Sequence, residues 1–240
     1  IDIDSSNLDI IVLDRKEFDN ELSEIAIRNG AQLMKSTSFV KTNHNNSEII
    51  VHSSQNQFHC KYFVDAMGIS SLMKKQKFGI LQAAKYIIEA DWFESNKVDL
   101  YFNQQLSPGF FTWVIPINEN LAKVGIAGYG INSFNNLDYF LKNKKHKVIK
   151  KIACPIIVSG PIKKFVQNNV VSIGDSAAQT KPTTAGGIFS GGLAGIFAGQ
   201  SIDNSLRNDT DLLHVYENRW RGVLALTLLL LDCFEKYLTT

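Results

Sequence analysis

Residues Ser172–Gly192, SIGDSAAQTKPTTAGGIFSGG, decide how this chain is read. They follow the apolar pair Val170 and Val171, place the acidic Asp175 directly after a strand, and crowd small residues and glycines before an apolar run. Glycine loses more backbone entropy on ordering than any other residue, so this density points to a backbone that turns tightly or lies against something. An apolar strand ending in Gly174-Asp175, then a glycine-rich loop opening a helix, has the parts that hold a polyanionic cofactor. The carboxylate accepts from hydroxyls, and the helix start offers N–H donors to an anion. An acidic residue in this place is also a common helix cap.

Working outward, IVLDRKEFDNELSEIAIRNGA predicts a strand over Ile10–Leu13 and then a helix. Its apolar residues Phe18, Leu22, Ile25 and Ala26 recur at helical spacing, with Asp14 as N-cap and Gly30 as the stop. Short strands split by NHNN and SSQNQ follow and return to a buried strand at Tyr62–Ala66. From Ile80 to Tyr129 the segments AAKYIIEAD, KVDLYFNQ, FFTWVIPI and LAKVGIAGY predict successive strands of an antiparallel sheet. A Lys-rich helical stretch is expected over Asn136–Lys151, and two helices over Gly187–Leu206 and Leu212–Leu238. The expected domains are 1–79 and 153–206 for cofactor binding, 80–152 for an antiparallel-sheet substrate domain, and 207–240 for a helical end.

Composition narrows the function classes. The chain has 240 residues, 45% of them hydrophobic, and a net charge of +2, enough for a sizeable core and too balanced for a nucleic-acid binder. The lysines of 142–151 read as a solvated helix face. Cys60, Cys154 and Cys233 are odd in number and far apart, which fits a reducing compartment. The histidines lack metal-ligand spacing, so no metal is expected. IDIDSS has no basic or apolar region of a signal peptide, and the chain reads as an interior piece of a longer protein. GVLALTLLLLDCF is too short to span a bilayer; Leu224, Leu228 and Leu231 either lie on a membrane or pack as core.

Three separated motifs carry a resemblance. DRKEFD (Asp14–Asp19), FVDAMGISS and GDSAAQTKPTTAGGI are similar, in order and interval, to the D-R-x-x-F-D, A-x-G-x-x-S and G-D-A-A-x-x-x-x-P-x-x-G-x-G-I segments of FAD-dependent oxidoreductases. SPGFFTWVIP (Ser107–Pro116) resembles the P-x-x-Y-x-W-x-F-P motif of the geranylgeranyl reductase family, which includes archaeal digeranylgeranylglycerophospholipid reductases. The resemblance implies an α/β fold with α+β elements: an FAD/NAD(P)-binding Rossmann-like domain with an inserted antiparallel-sheet substrate domain. The family's GxGxxG strand-turn-helix is not found, so the first βαβ unit is expected to be missing by N-terminal truncation, and this piece to be inactive or weak in FAD binding alone. Met67, Phe111, Ser176 and Ala185 stand where Thr, Tyr, Ala and Gly are common.

The resemblance further implies FAD as cofactor. Arg15 would contact it, although Arg15 also suits a surface cap on Asp19. Phe39 and Val40 match the region whose backbone touches adenine, or form a plain strand. Gly174 and Asp175 would meet the ribityl chain, with Pro182 in the following loop, and the Gly186, Gly187 and Ile188 backbone would meet the pyrimidine edge of the flavin. Phe111 and Trp113 alternate along a strand and face one side, as the wall of an isoprenoid tunnel or as an aromatic core patch. No catalytic residue is assigned. The expected activity is FAD-dependent reduction of carbon-carbon double bonds in geranylgeranyl groups of membrane-lipid precursors. The alternatives are a flavin monooxygenase or halogenase, and a non-catalytic flavin- or lipid-binding protein. A prenyl-lipid partner and a cytoplasmic location with peripheral membrane contact follow as expectations.

Overall fold

The computed structural model describes residues 11–45, 48–72, 79–181 and 183–223. The chain divides into two compact units, Ile1–Cys60 and Lys61–Thr240.

In the first unit, α1 (Arg15–Arg28) starts where Asp14 accepts hydrogen bonds from the Lys16 and Glu17 N–H groups, a side-chain N-cap. It ends before Gly30, whose φ of 95° leaves the helical region. Residues 11–13, read from sequence as a strand, have no strand partner among the described residues, and Ile10 lies outside them. The unit's sheet is three-stranded and antiparallel, β1 (Phe39–Asn45), β2 (Glu48–Ser53) and β3 (Gln57–Cys60). Ile49 is its buried centre.

The second unit is built on two sheets. β4 (Phe63–Asp65) pairs in parallel with a strand that arrives about a hundred residues later, so a long crossover must join the two. That crossover contains α2 (Ile69–Leu72), the six-stranded antiparallel sheet and α3 (Ser133–Leu141). The sheet is made of β5 (Ile80–Glu89), β6 (Asp99–Tyr101), β7 (Thr112–Pro116), β8 (Leu121–Gly128), β9 (Lys147–Ala153) and β10 (Ile156–Ile157). One face is dry: Ala84, Tyr86 and Ile88 of β5, Val114 of β7 and Val124 of β8 pack with Leu137 and Leu141 of α3. Alternation along each strand sends the neighbouring residues to the opposite face.

The segment over 142–151 departs from the sequence reading. The helix ends at Leu141, and Lys147–Ala153 is a strand hydrogen-bonded to β5, with Ile88 opposite Val148 and Lys85 opposite Ile152. Its lysines sit on a sheet edge, where charged side chains discourage pairing with another chain.

The chain then returns through β11 (Val166–Gln167) and β12 (Val170–Ser172), which is the parallel partner of β4. A 3-10 turn over Gly174–Ala177 leads toward α4 (Ile188–Asn208), and residues 213–223 are helical again. Val171, Ala177, Ala194, Ala198, Tyr216 and Trp220 form the core between them. Among the described residues, no helix is long and apolar enough to cross a membrane. Leu224, Leu228, Leu231 and Cys233 lie outside the described residues.

Candidate functional site

The carboxyl ends of β4 and β12 lie side by side, with Asp65 opposite Ser172. In open α/β sheets, ligands gather at such strand ends. Each strand leaves its end through a glycine with positive φ, Gly68 at 70° and Gly174 at 61°. The two exits are tied together: the Ser176 hydroxyl accepts from the Gly68 N–H at 2.7 Å and lies 3.3 Å from the Gly68 carbonyl. Ser176, Ala177 and Ala178 are buried, while Asp175 between them and the strand is exposed. The turn thus presents one carboxylate above a packed floor.

The loop that follows closes on itself. The Ala185 N–H donates to the Lys181 carbonyl at 2.8 Å, and the Lys181 N–H donates to the Gly186 carbonyl at 3.2 Å. Pro182 lies outside the described residues. Ala185 has a φ of 54°, a left-handed conformation that a Cβ disfavours. The loop delivers Gly187 beside Asp175: a Cβ on Gly187 would stand 3.2 Å from the Asp175 Oδ1 and 3.2 Å from the Thr180 methyl. α4 begins at the next residue, with no side-chain cap and no acidic residue in its first turn. A 21-residue helix therefore points the positive end of its dipole toward the space occupied by the Asp175 carboxylate.

The aromatic motif comes to the same loop. Phe111 and Trp113 lie on the sheet face opposite α3, their rings edge-on with centroids 6.1 Å apart, and Phe110 stacks on Phe111 at 4.1 Å. Both pack, partly buried, with Leu81, Ala83 and Ala127, and Ala185 of the glycine-rich loop packs against the same cluster. The Trp113 indole lies over Gly125 of β8, where a Cβ would fall 2.2 Å from the ring. Beyond this cluster Phe102 remains 73% exposed while touching Phe111, so the apolar wall continues into open space.

Behind the turn is a buried polar network that sequence reading missed. The Tyr216 hydroxyl donates to the Ser172 carbonyl at 2.7 Å and accepts from the Gln179 amide at 2.9 Å. The Gln179 Oε1 accepts from the Gly174 N–H at 2.7 Å. Ser190 on α4 donates to the Gln179 carbonyl, and the Trp220 indole donates to the Ser190 carbonyl at 3.1 Å. Burial pushes the Tyr216 phenol well above the ordinary tyrosine range. A tyrosine 37 residues from its glutamine leaves no periodic signal; a Gln inside an otherwise small, apolar loop is the one local hint.

The remaining expected site residues belong to the first unit. Arg15 forms an exposed ion pair with Asp19 one turn along α1, at 3.1 Å. Phe39 and Val40 open β1, Phe39 half-buried and Val40 exposed.

No family model matches the chain. It is 26% identical over 234 residues to digeranylgeranylglycerophospholipid reductase 1 of Methanococcoides burtonii, covering 88% of this chain and 57% of the relative. It is 27% identical over 234 residues to digeranylgeranylglycerophospholipid reductase of Methanocaldococcus jannaschii, covering 88% and 60%. The chain thus spans less than two thirds of the length of these curated relatives. Among solved structures it shares its fold with a geranylgeranyl bacteriochlorophyll reductase-like protein from Thermoplasma acidophilum, with a TM-score of 0.77, 22% identity, and coverage of 89% of this chain and 59% of the other. A flavin-dependent halogenase has the same fold at a TM-score of 0.68 and 18% identity, covering 88% and 44%.

Proposed function

We propose that this chain, which belongs to the geranylgeranyl reductase family, is part of an FAD-dependent oxidoreductase that saturates carbon-carbon double bonds of geranylgeranyl groups in membrane-lipid precursors. One observation carries the reading: Asp175 and the uncapped start of α4 lie beside Gly187, and the same loop holds Ala185 against Phe111 and Trp113. A cofactor cradle and an apolar wall thereby share one short segment.

The residues present fit an isoalloxazine and its ribityl chain. Gly187 has no side chain where the Asp175 Oδ1 approaches, so ligand and carboxylate can both come close to the backbone. In this reading Asp175 accepts from ribityl hydroxyls. The N–H groups at the start of α4 would meet the pyrimidine edge, where reduced flavin carries negative charge. The Gly186, Gly187 and Ile188 backbone would supply that edge contact. Reduced FAD, when bound, supplies the hydride. Phe111 and Trp113 bury a prenyl chain without asking it for hydrogen bonds, hold an alkene near the cradle and exclude water from it.

The halogenase-type reading rests on a shared fold alone. The curated relatives named as reductases, together with the P-x-x-F-x-W-x-x-P strand, favour reduction.

The test is flavin retention by the whole protein. Purified wild type should carry flavin absorbance and release FAD on denaturation, and Asp175→Ala should bind FAD at least about tenfold more weakly, a loss of roughly 1.4 kcal/mol. Unchanged FAD affinity in a folded Asp175→Ala variant would remove the carboxylate from the site.

A further inference from the structure

Gln179 is fully buried, and its polar atoms are bonded in three directions. Toward the Asp175 turn, its Oε1 accepts from the Gly174 N–H at 2.7 Å, and its backbone N–H donates to the Gly174 carbonyl at 3.0 Å. Toward the helix over 213–223, its Nε2 donates to the Tyr216 hydroxyl at 2.9 Å. Toward α4, its carbonyl accepts from the Ser190 hydroxyl, which also lies 3.4 Å from the Gly186 and Gly187 carbonyls. One residue therefore touches both arms of the cradle, the carboxylate turn and the helix start.

Packing alone does not ask for a glutamine here. Burying a primary amide costs free energy that an apolar side chain of similar length avoids, and a fully bonded network offsets that cost by holding its members in one geometry. Ser190 is used in an uncommon way. A serine near a helix start often turns its oxygen to the free N–H groups, whereas this hydroxyl points back as a donor, and no side chain caps α4. The Trp220 indole grips the same turn from behind through the Ser190 carbonyl at 3.1 Å. Tyr216 and Trp220, one helical turn apart, thus hold the two arms of the cradle from a single helix. Their alignment matters because the field of a helix start fades within its first turn and hydrogen bonds weaken steeply with angle.

We propose that Gln179 and Ser190 are positioning residues that fix the start of α4 against the Asp175 turn and thereby set how strongly the reduced cofactor is favoured over the oxidised one. Tyr216 and Trp220 are their anchors. This rests on the flavin reading above and adds to it the residues that tune the reduction potential. Negative charge develops at the pyrimidine edge only on reduction, so aligned N–H groups act on the reduced form far more than on the neutral oxidised ring. A looser helix start leaves the oxidised ring held by the same packing while the reduced form loses its donors.

The midpoint potential of FAD bound to the whole protein, measured by anaerobic reduction against a reference dye, tests this. Ser190→Ala removes one hydroxyl and should shift the balance toward the oxidised form about tenfold, which lowers a two-electron potential by about 30 mV. Ser190→Thr keeps the hydroxyl and should stay at the wild-type value. Tyr216→Phe frees the far end of the Gln179 amide and should shift the potential in the same direction as Ser190→Ala. Leu213→Ala, a truncation in the same core, should lower unfolding stability and leave the potential unchanged. A wild-type potential in folded Ser190→Ala and Tyr216→Phe, or an equal fall in Leu213→Ala, would reduce the network to core packing and overturn the proposal while the flavin reading stands. A wild-type protein that binds no FAD would sink the flavin reading and this proposal with it.

Discussion

The Asp175 carboxylate and the Cα of Gly187 are in near contact: a methyl group at Gly187 would sit 3.2 Å from the Asp175 Oδ1. The backbone at Gly187, with φ of −107°, is open to any residue, so the glycine is explained by space rather than by conformation. Gly187→Ala should therefore fold, with a cost of about 1–3 kcal/mol from crowding. FAD affinity should fall at least about tenfold, as measured by equilibrium dialysis of the whole protein. Wild-type affinity in the variant would mean that the carboxylate does not face a ligand there.

Two residues earlier the conformation decides. Ala185 holds a φ of 54°, and Ala185→Gly removes the Cβ strain at the cost of added unfolded-chain entropy. Because left-handed backbone costs an L-residue roughly 1–2 kcal/mol, the net change should be a stabilisation of about 0.5–1 kcal/mol in urea unfolding. A destabilised Ala185→Gly would show that the methyl's packing against the Phe111 and Trp113 cluster outweighs the strain.

At Gly125 the relation is with Trp113. A Cβ 2.2 Å from the indole forces the ring to swing off the sheet. Gly125→Ala should cost about 1–3 kcal/mol and shift the tryptophan emission. In a Trp113→Leu background the same substitution should cost much less, a coupling visible in a double-mutant cycle. Additive costs would place the indole elsewhere.

Tyr216 gives a pH dependence. Its folded phenol titrates above the unfolded value near pH 10, chiefly because of burial. The neutral form is thus favoured by folding, and the stability this contributes is complete below about pH 10 and lost as pH rises from there toward the folded value. Tyr216→Phe leaves the Ser172 carbonyl and the Gln179 amide short of a partner, costing about 1–3 kcal/mol at neutral pH. Its stability should then fall less steeply above pH 10 than that of wild type. Parallel profiles would deny that Tyr216 is the titrating group.

Local patterns carried much of this architecture. The Asp14 cap, the alternation along β5, β7 and β8, and the glycine-rich turn after β12 are each written within a few neighbouring residues. The lysines of 142–151 misled because charge density hid the partly buried Val148 and Ile152, which a register shift between Ile87 and Ile88 sends to opposite faces. The Ser176 tie to Gly68 and the Tyr216 bond to Gln179 join residues 108 and 37 apart, and only the packed fold brings them together.

The central claim is that a bound flavin cradled at Asp175 reduces prenyl double bonds. Its most direct measurement is mass spectrometry of a geranylgeranyl phospholipid precursor incubated anaerobically with the whole protein and chemically reduced FAD. The account predicts products that have gained two hydrogens for each double bond saturated, and their loss with a folded Asp175→Ala variant at limiting FAD. An FAD-loaded protein that leaves the lipid unchanged, or that oxygenates or halogenates an acceptor instead, would contradict it.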